Sequence, residues 1–304
     1  MAPRERSNVG GPAHDTPSLV VRVVGRIGMW VVAALISVFG RVFRREEVAW
    51  LDGPIGGPII GDSPYAQVAA EEGLTLERQA RSGLIPDFEA LRSESFDPSA
   101  CHPLVRDFYE HTSDWTMDIW SRTRFPMNIG LWLMVTTISR EVDQLNFPLT
   151  SIESALGVTS ELISMRRPDG QVRYTGWFRT LESTSRVLYT GFYMTESPPL
   201  EAGPCVKVVF PMPDGNATVI LSPELAEGGA LVLRSAGERM GGTGFYRLTR
   251  LDAERLRVWQ VTSLKETFRV YVDGKGVPRC DHHVRFWGLP VLELHYKLSR
   301  SASA

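Results

Sequence analysis

The chain has 304 residues, 43% of them hydrophobic and 22% charged, with a formal net charge of −2 at pH 7. That is a globular composition, and its near balance of charge excludes a general nucleic-acid binder, which shows a basic excess. The three cysteines, Cys101, Cys205 and Cys280, are odd in number and far apart, which argues for a reducing compartment and against a disulfide framework or zinc site.

The charge is unevenly placed. The first 45 residues hold seven arginines against Glu5 and Asp15. Residues 1–17, rich in Pro, Gly and Ser, read as a disordered tail. Residues 18–45 read as a basic amphipathic helix. Turned at about 100° per residue, they put Arg22, Arg26, Arg41, Arg44 and Arg45 on one stripe. Phe39 and Phe43 fall on the broad apolar face, and Trp30 is placed for an interface. The uncharged run from Ile27 to Gly40 is shorter than the ~20 residues of a spanning helix. The expected partner is an anionic membrane surface, contacted from the cytoplasmic face by a peripheral helix. A core helix, a spanning anchor with snorkelling arginines and a signal peptide are the competing readings.

Residues 46–150 read as a loop and helical cover. Ser63-Pro64 starts a short helix that ends at Gly73. Leu84, Ile85, Phe88 and Phe96 are isolated hydrophobes in loop, as in a wrapping segment. The densest mixture of titratable and aromatic groups is 102–120. Pro103 starts a helix there, and Asp107, His111, Asp114 and Asp118 follow at spacings of four, three and four. On one helical face they could orient His111 for acid–base work. Two plainer patterns compete: a solvated polar face, and a strand period from Trp115 to Trp120 that would end the helix near Thr112 and break the array. Farther on, Asn128 can cap a helix running to Asn146. The apolar first half of that helix is either buried or a second membrane contact.

From residue 151 to 300 the period becomes two. Strands are expected at 158–165, 171–180, 186–195, 204–210, 216–221, 230–235, 244–250, 255–262, 265–273, 280–287 and 291–298. Asp169-Gly170, Asp214-Gly215, Gly228-Gly229 and Asp273-Gly274 mark the turns. The fold class is therefore α+β: a large antiparallel, barrel-like meander with a helical and loop cover and an N-terminal amphipathic helix. In the last two strands His283, Arg285, Glu293 and His295 share one wall if the strands pair across Gly288. Alternation alone leaves open whether that wall faces a cavity or water.

Three blocks carry a resemblance: Phe108–Thr112, Gly203–Leu221 and Trp287–Leu298. They are similar to a set of uncharacterised bacterial proteins, chiefly actinobacterial, over roughly residues 48–300. The resemblance brings no activity and no functional residue with it. The plan of sheet and helix resembles lipocalin-like and START-like barrels in outline, folds that hold lipids.

Two functions are expected. One is cofactor-free acid–base cyclisation or isomerisation of an apolar small molecule, a lipid or a polyketide- or terpenoid-like compound. Asp107, His111, Asp114, Asp118, His283, Glu293 and His295 would carry it, with Tyr109, Trp115, Trp120, Arg285 and Trp287 lining the ligand. The other is non-catalytic binding or carriage of such a molecule. A membrane-associated scaffold is a third reading. No metal and no organic cofactor is expected, since the chain lacks a Gly-x-Gly-x-x-Gly, a Walker loop and metal-ligand spacings.

Overall fold

A computed structural model describes residues 30, 33–123, 144, 157–182 and 186–301. Arg22 and Arg26, the tail 1–17 and nearly all of the helix expected at 128–146 lie outside them. What is described is mostly antiparallel sheet with few helices.

The C-terminal half folds as its alternation and turns dictate. It contains β4 (Val158–Arg166), β5 (Val172–Leu181), β6 (Val187–Glu196), β7 (Cys205–Met212), β8 (Gly215–Ala226) and β9 (Ala230–Ser235). Then follow β10 (Gly244–Arg250), β11 (Arg255–Gln260), β12 (Leu264–Val272), β13 (Pro278–Phe286) and β14 (Leu289–Arg300). Three further strands come from the region before residue 124: β1 (Arg41–Arg44), β2 (Thr75–Arg78) and β3 (Trp115–Thr123). All join one 14-stranded sheet whose main order is β2-β4-β5-β6-β7-β8-β9-β12-β13-β14-β3. The long strand β8 changes partner midway. Gly215–Ile220 pair with β10 and Ser222–Ala226 with β9, so the sheet forks there into a β10-β11-β1 branch.

Two expectations are corrected. The ladder is open among the described residues: its end strands β2 and β3 are not hydrogen-bonded neighbours, so the barrel-like meander is found as an antiparallel sheet that does not close there. The N-terminal helix does not continue to residue 45. Residues 33–39 are helical (α1), but the Gly40 amide bonds back to the Ile36 carbonyl at 2.9 Å. Arg41–Arg44 then pair antiparallel with Arg255–Val258. Phe43 thereby packs against the cluster of Val48, Leu256 and Val258. A strand gives these four residues backbone partners and Phe43 a partly buried place, which an isolated helical turn cannot.

The sheet has an inner and an outer face. On the inner face Leu162, Trp177, Val208, Val219, Leu233, Val270 and Leu294 form one core with Leu84, Ile85, Phe88, Leu91, Phe96, Val105, Phe108 and Tyr109. The wrapping segment and helix α3 (Pro103–Glu110) thus fill the inside of the sheet. A fully buried aromatic such as Phe88 contributes about 1.5–3 kcal/mol. On the outer face helix α2 (Ser63–Glu72) seats Tyr65 and Val68 on Ile163, Met165, Tyr174 and Phe192. Gly176 makes this docking possible, because a Cβ there would stand 2.4 Å from the Tyr65 ring.

Candidate functional site

The wall expected on the last hairpin forms, with His283 opposite Glu293 and Asp281 opposite His295. It faces outward. Leu292, Leu294, Tyr296 and Leu298 are the buried set on β14, so alternation sends Glu293 and His295 the other way. His295 Nδ1 lies 2.8 Å from Asp281 Oδ1, and the His283 and His295 rings meet edge to face at 6.2 Å. Arg285 is exposed, Trp120 is half exposed opposite His295, and Trp287 is 78% exposed at the hairpin tip.

The hub divides where the strand period begins. α3 ends at Glu110, His111 follows it, Thr112–Asp114 make one tight turn, and β3 starts at Trp115. Asp118 therefore leaves the array and sits exposed opposite Lys297. The other three acid–base candidates stay together around Arg300. Asp107 lies 3.2 Å from His111 Nδ1 and 2.5 Å from Arg300, and it also accepts from Trp115 Nε1 at 3.2 Å. Asp114 is 3.8 Å from Arg300, and its carbonyl takes the Ser301 amide at 2.8 Å. This group clasps the end of β14 to α3. Its imidazole is 57% exposed. Tyr109 is a core residue stacked on Phe88 at 5.7 Å.

The groups that do face inward are ones the alternation marks only as exceptions. Arg179 follows Trp177 and precedes Leu181 on the inner face of β5 and is 1% exposed. Its guanidinium lies 4.9 Å from the Trp177 ring centroid, 5.9 Å from Tyr189 and 6.0 Å from Tyr296. Burial pushes the Tyr189 and Tyr296 phenols well up, so the cage around it is neutral. Cation–π contacts return about 0.5–2 kcal/mol each, against a desolvation penalty of several kcal/mol for a buried ion.

A second inward pair is Glu266 and His282, 3.1 Å apart. His282 stacks on Phe268, and both members of the pair are nearly buried. His282 shares its face with Cys280, and Glu266 shares its face with Phe268 and Val270. In each case a charged or titratable residue breaks an apolar face. That is the signal by which Arg179, Glu266 and His282 could have been found. The thiols are quiet: burial pushes Cys101 up to about 11 and Cys205 to about 12. Among the described residues no three His, Cys, Asp or Glu side chains gather as a metal site would require.

A pocket of about 410 Å³ opens at the seam where β3 faces β4. Trp115, Met117, Leu162, Trp177 and Phe178 supply its apolar wall, and Thr112, Ser113, Ser160 and Glu161 its polar lining. Trp177 is shared: one ring lines this pocket and carries Arg179.

No family model matches the chain, and no solved structure matches it. Among curated proteins it is similar to one described as "Uncharacterized membrane protein YndJ" from Bacillus subtilis (strain 168). The two are 26% identical over 269 residues, 87% of this chain and 43% of that protein, so the chain spans less than half the length of its relative.

Proposed function

We propose that the protein binds an apolar small molecule at a membrane surface, the molecule entering at the β3–β4 seam. The seam pocket carries this reading. Its volume falls in the range of small-molecule sites, about 300–1,000 Å³, and its lining is aromatic and aliphatic with a few polar groups. Membrane association draws on two further observations. The relative's printed name calls it a membrane protein. Trp30, Leu35, Val38, Phe39 and Val42 form an exposed apolar run beside Arg41 and Arg44, as on a peripheral contact surface. No helix of the described residues is long and apolar enough to cross a membrane; the form proposed, on the basic and apolar run above, is a peripheral contact on the cytoplasmic face.

The test is native mass spectrometry and lipid extraction of full-length protein purified gently from its own host. One co-purifying apolar compound, lost on replacing Trp177 and Met117 with charged residues, supports the reading. Protein that is empty, and that takes up no apolar probe afterwards, sinks it.

A second reading, acid–base conversion of that molecule, is favoured by Glu266 and His282. It predicts a changed compound after incubation with wild-type protein and an unchanged one with His282→Gln.

A further inference from the structure

Five buried polar atoms lack a hydrogen-bond partner among the described residues: Ser164 Oγ, Thr175 Oγ1, Trp177 Nε1, and Arg179 Nε and Nη2. They are not scattered. Ser164 and Thr175 are cross-strand partners on β4 and β5, and Trp177 stands opposite Leu162. Leu162 and Trp177 belong to the inner core. Alternation puts Ser164 two residues from Leu162, and Thr175 and Arg179 two residues either side of Trp177, all on that same inner face. The orphans therefore form one strip, roughly 13 Å long at about 3.3 Å per residue.

Buried polar groups are nearly always paired, and a guanidinium in a neutral cage most of all needs an anion. The contrast is Lys207, another buried cation. Its ammonium donates to the Trp50 and Asp52 carbonyls at 2.7 and 2.6 Å and lies 3.3 Å from Glu196. Lys207 is complete within the chain, whereas Arg179 has two donor nitrogens, Nε and Nη2, left. The Arg179 guanidinium stands behind the pocket lining, its central carbon 4.9 Å from the centroid of the Trp177 ring that walls the seam pocket.

We infer that Arg179 is the anion-binding end of the site. The ligand is then an amphiphile with a carboxylate or phosphate group, received by Nε and Nη2 in a fork. Its apolar part lies along Trp177 and the pocket, and a headgroup oxygen meets the Trp177 N–H; the Ser164 and Thr175 hydroxyls lie too far along the strip to meet the same headgroup. The inference rests on the binding reading above and narrows it to a chemical class.

The experiment compares oleate, lysophosphatidic acid and oleyl alcohol by isothermal titration on the full chain, wild type and Arg179→Met. Met fills similar space, and replacing a buried charge by an apolar chain is often tolerated. Wild type is expected to bind at least one acid tenfold or more tighter than the alcohol. Oleate ahead of lysophosphatidic acid assigns a carboxylate, and the reverse order a phosphate. In Arg179→Met that preference disappears while alcohol binding remains. Trp177→Phe, which removes one N–H and keeps a ring, is expected to weaken the acid severalfold and the alcohol little. This second variant serves if Arg179→Met does not fold. An acid preference that survives Arg179→Met, or survives Trp177→Phe unchanged, overturns the inference. Equal binding of acid and alcohol by wild type overturns it too, and leaves the apolar-ligand reading standing. No binding of any probe, with nothing co-purified, overturns both.

Discussion

His282 lies flat on Phe268, its cross-strand partner, with ring centroids 3.8 Å apart and planes 15° from parallel. The same imidazole reaches Glu266 at 3.1 Å, so one residue both packs and pairs. His282→Ala removes the stack and leaves a nearly buried carboxylate without its partner. A loss of about 2–4 kcal/mol in urea unfolding is expected. Glu266→Gln keeps a polar partner and should cost under about 1.5 kcal/mol. The double substitution should cost less than the two singles together, because the second change removes the stranded group. Additive losses would mean that the two side chains do not act as a pair.

Tyr65 and Gly176 make a different kind of contact, ring against bare backbone. Gly176→Ala puts a methyl where the ring now lies. α2 must then shift off β5, or the ring must leave its position against Phe192 at 4.8 Å. Overpacking of this kind costs about 1–3 kcal/mol. The check is thermal unfolding of Gly176→Ala alone and combined with Tyr65→Leu, which should recover part of the loss.

Much of the sheet was legible because its signals are local. The strands expected at 230–235 and 244–250 have the bounds found, and the Asp-Gly and Gly-Gly turns fall where chain reversal needs them. The strands that were missed or left open pair across long sequence distances. β1 finds its partner in β11, and β3 in β14, which begins at residue 289. No pattern within residues 41–44 or 115–123 names such a partner. The face of the last hairpin was undecided for the same reason. Burial of Leu294 and Tyr296 against α3 and its leading loop fixes it, and that layer is remote in sequence. Arg179 was read as one residue of a strand. Its meaning comes from Tyr189 and Tyr296 gathered around it, which only folding brings together.

The clasp at Asp107, His111 and Arg300 should be weak. The His111 and Arg300 side chains are at least half exposed, with Asp107 partly buried between them, and exposed ion pairs contribute about 0–1 kcal/mol. His111→Ala is expected to change stability by less than about 0.5 kcal/mol. Arg300→Ala should cost somewhat more, since it also leaves the Trp115 ring, 4.9 Å away. His111→Ala should not move ligand affinity, whereas Arg300→Ala frees the Trp115 ring that walls the pocket and should weaken binding slightly. A His111→Ala protein that bound normally yet failed to convert a bound compound would return this histidine to the catalytic reading.

The exposed run from Trp30 to Val42 gives a prediction for membranes. Val38 is 74% exposed and lies near the basic residues Arg41 and Arg44. Val38→Asp should leave the fold intact and lower co-sedimentation with anionic vesicles severalfold. Added salt should weaken wild-type binding as well, because part of the attraction is charge. Binding that ignores both changes would move the membrane contact elsewhere on the molecule.

Lys207 sets a pH dependence whose sign can be worked out. Burial pushes its ammonium down to about 8, with Glu196 opposing part of that fall. In the unfolded chain the amine titrates near ~10.4. Between these values the unfolded chain holds a proton that the folded chain has released, so this residue makes stability rise with pH across that window. Buried Cys101 and Cys205 act the other way. Their folded pKa values are raised, so their contribution is present below the unfolded thiol value of ~8.5 and is lost above it. The Lys207 effect is therefore read as the difference between wild type and Lys207→Met, in which the thiols cancel. That variant also leaves the Trp50 and Asp52 carbonyls without their shared donor. Urea unfolding from about pH 7.5 to 10 should show the wild type gaining on the variant by about 2–3 kcal/mol. A difference that stays flat over this range would mean that burial does not lower this ammonium's pKa, its acceptors offsetting the lost solvation.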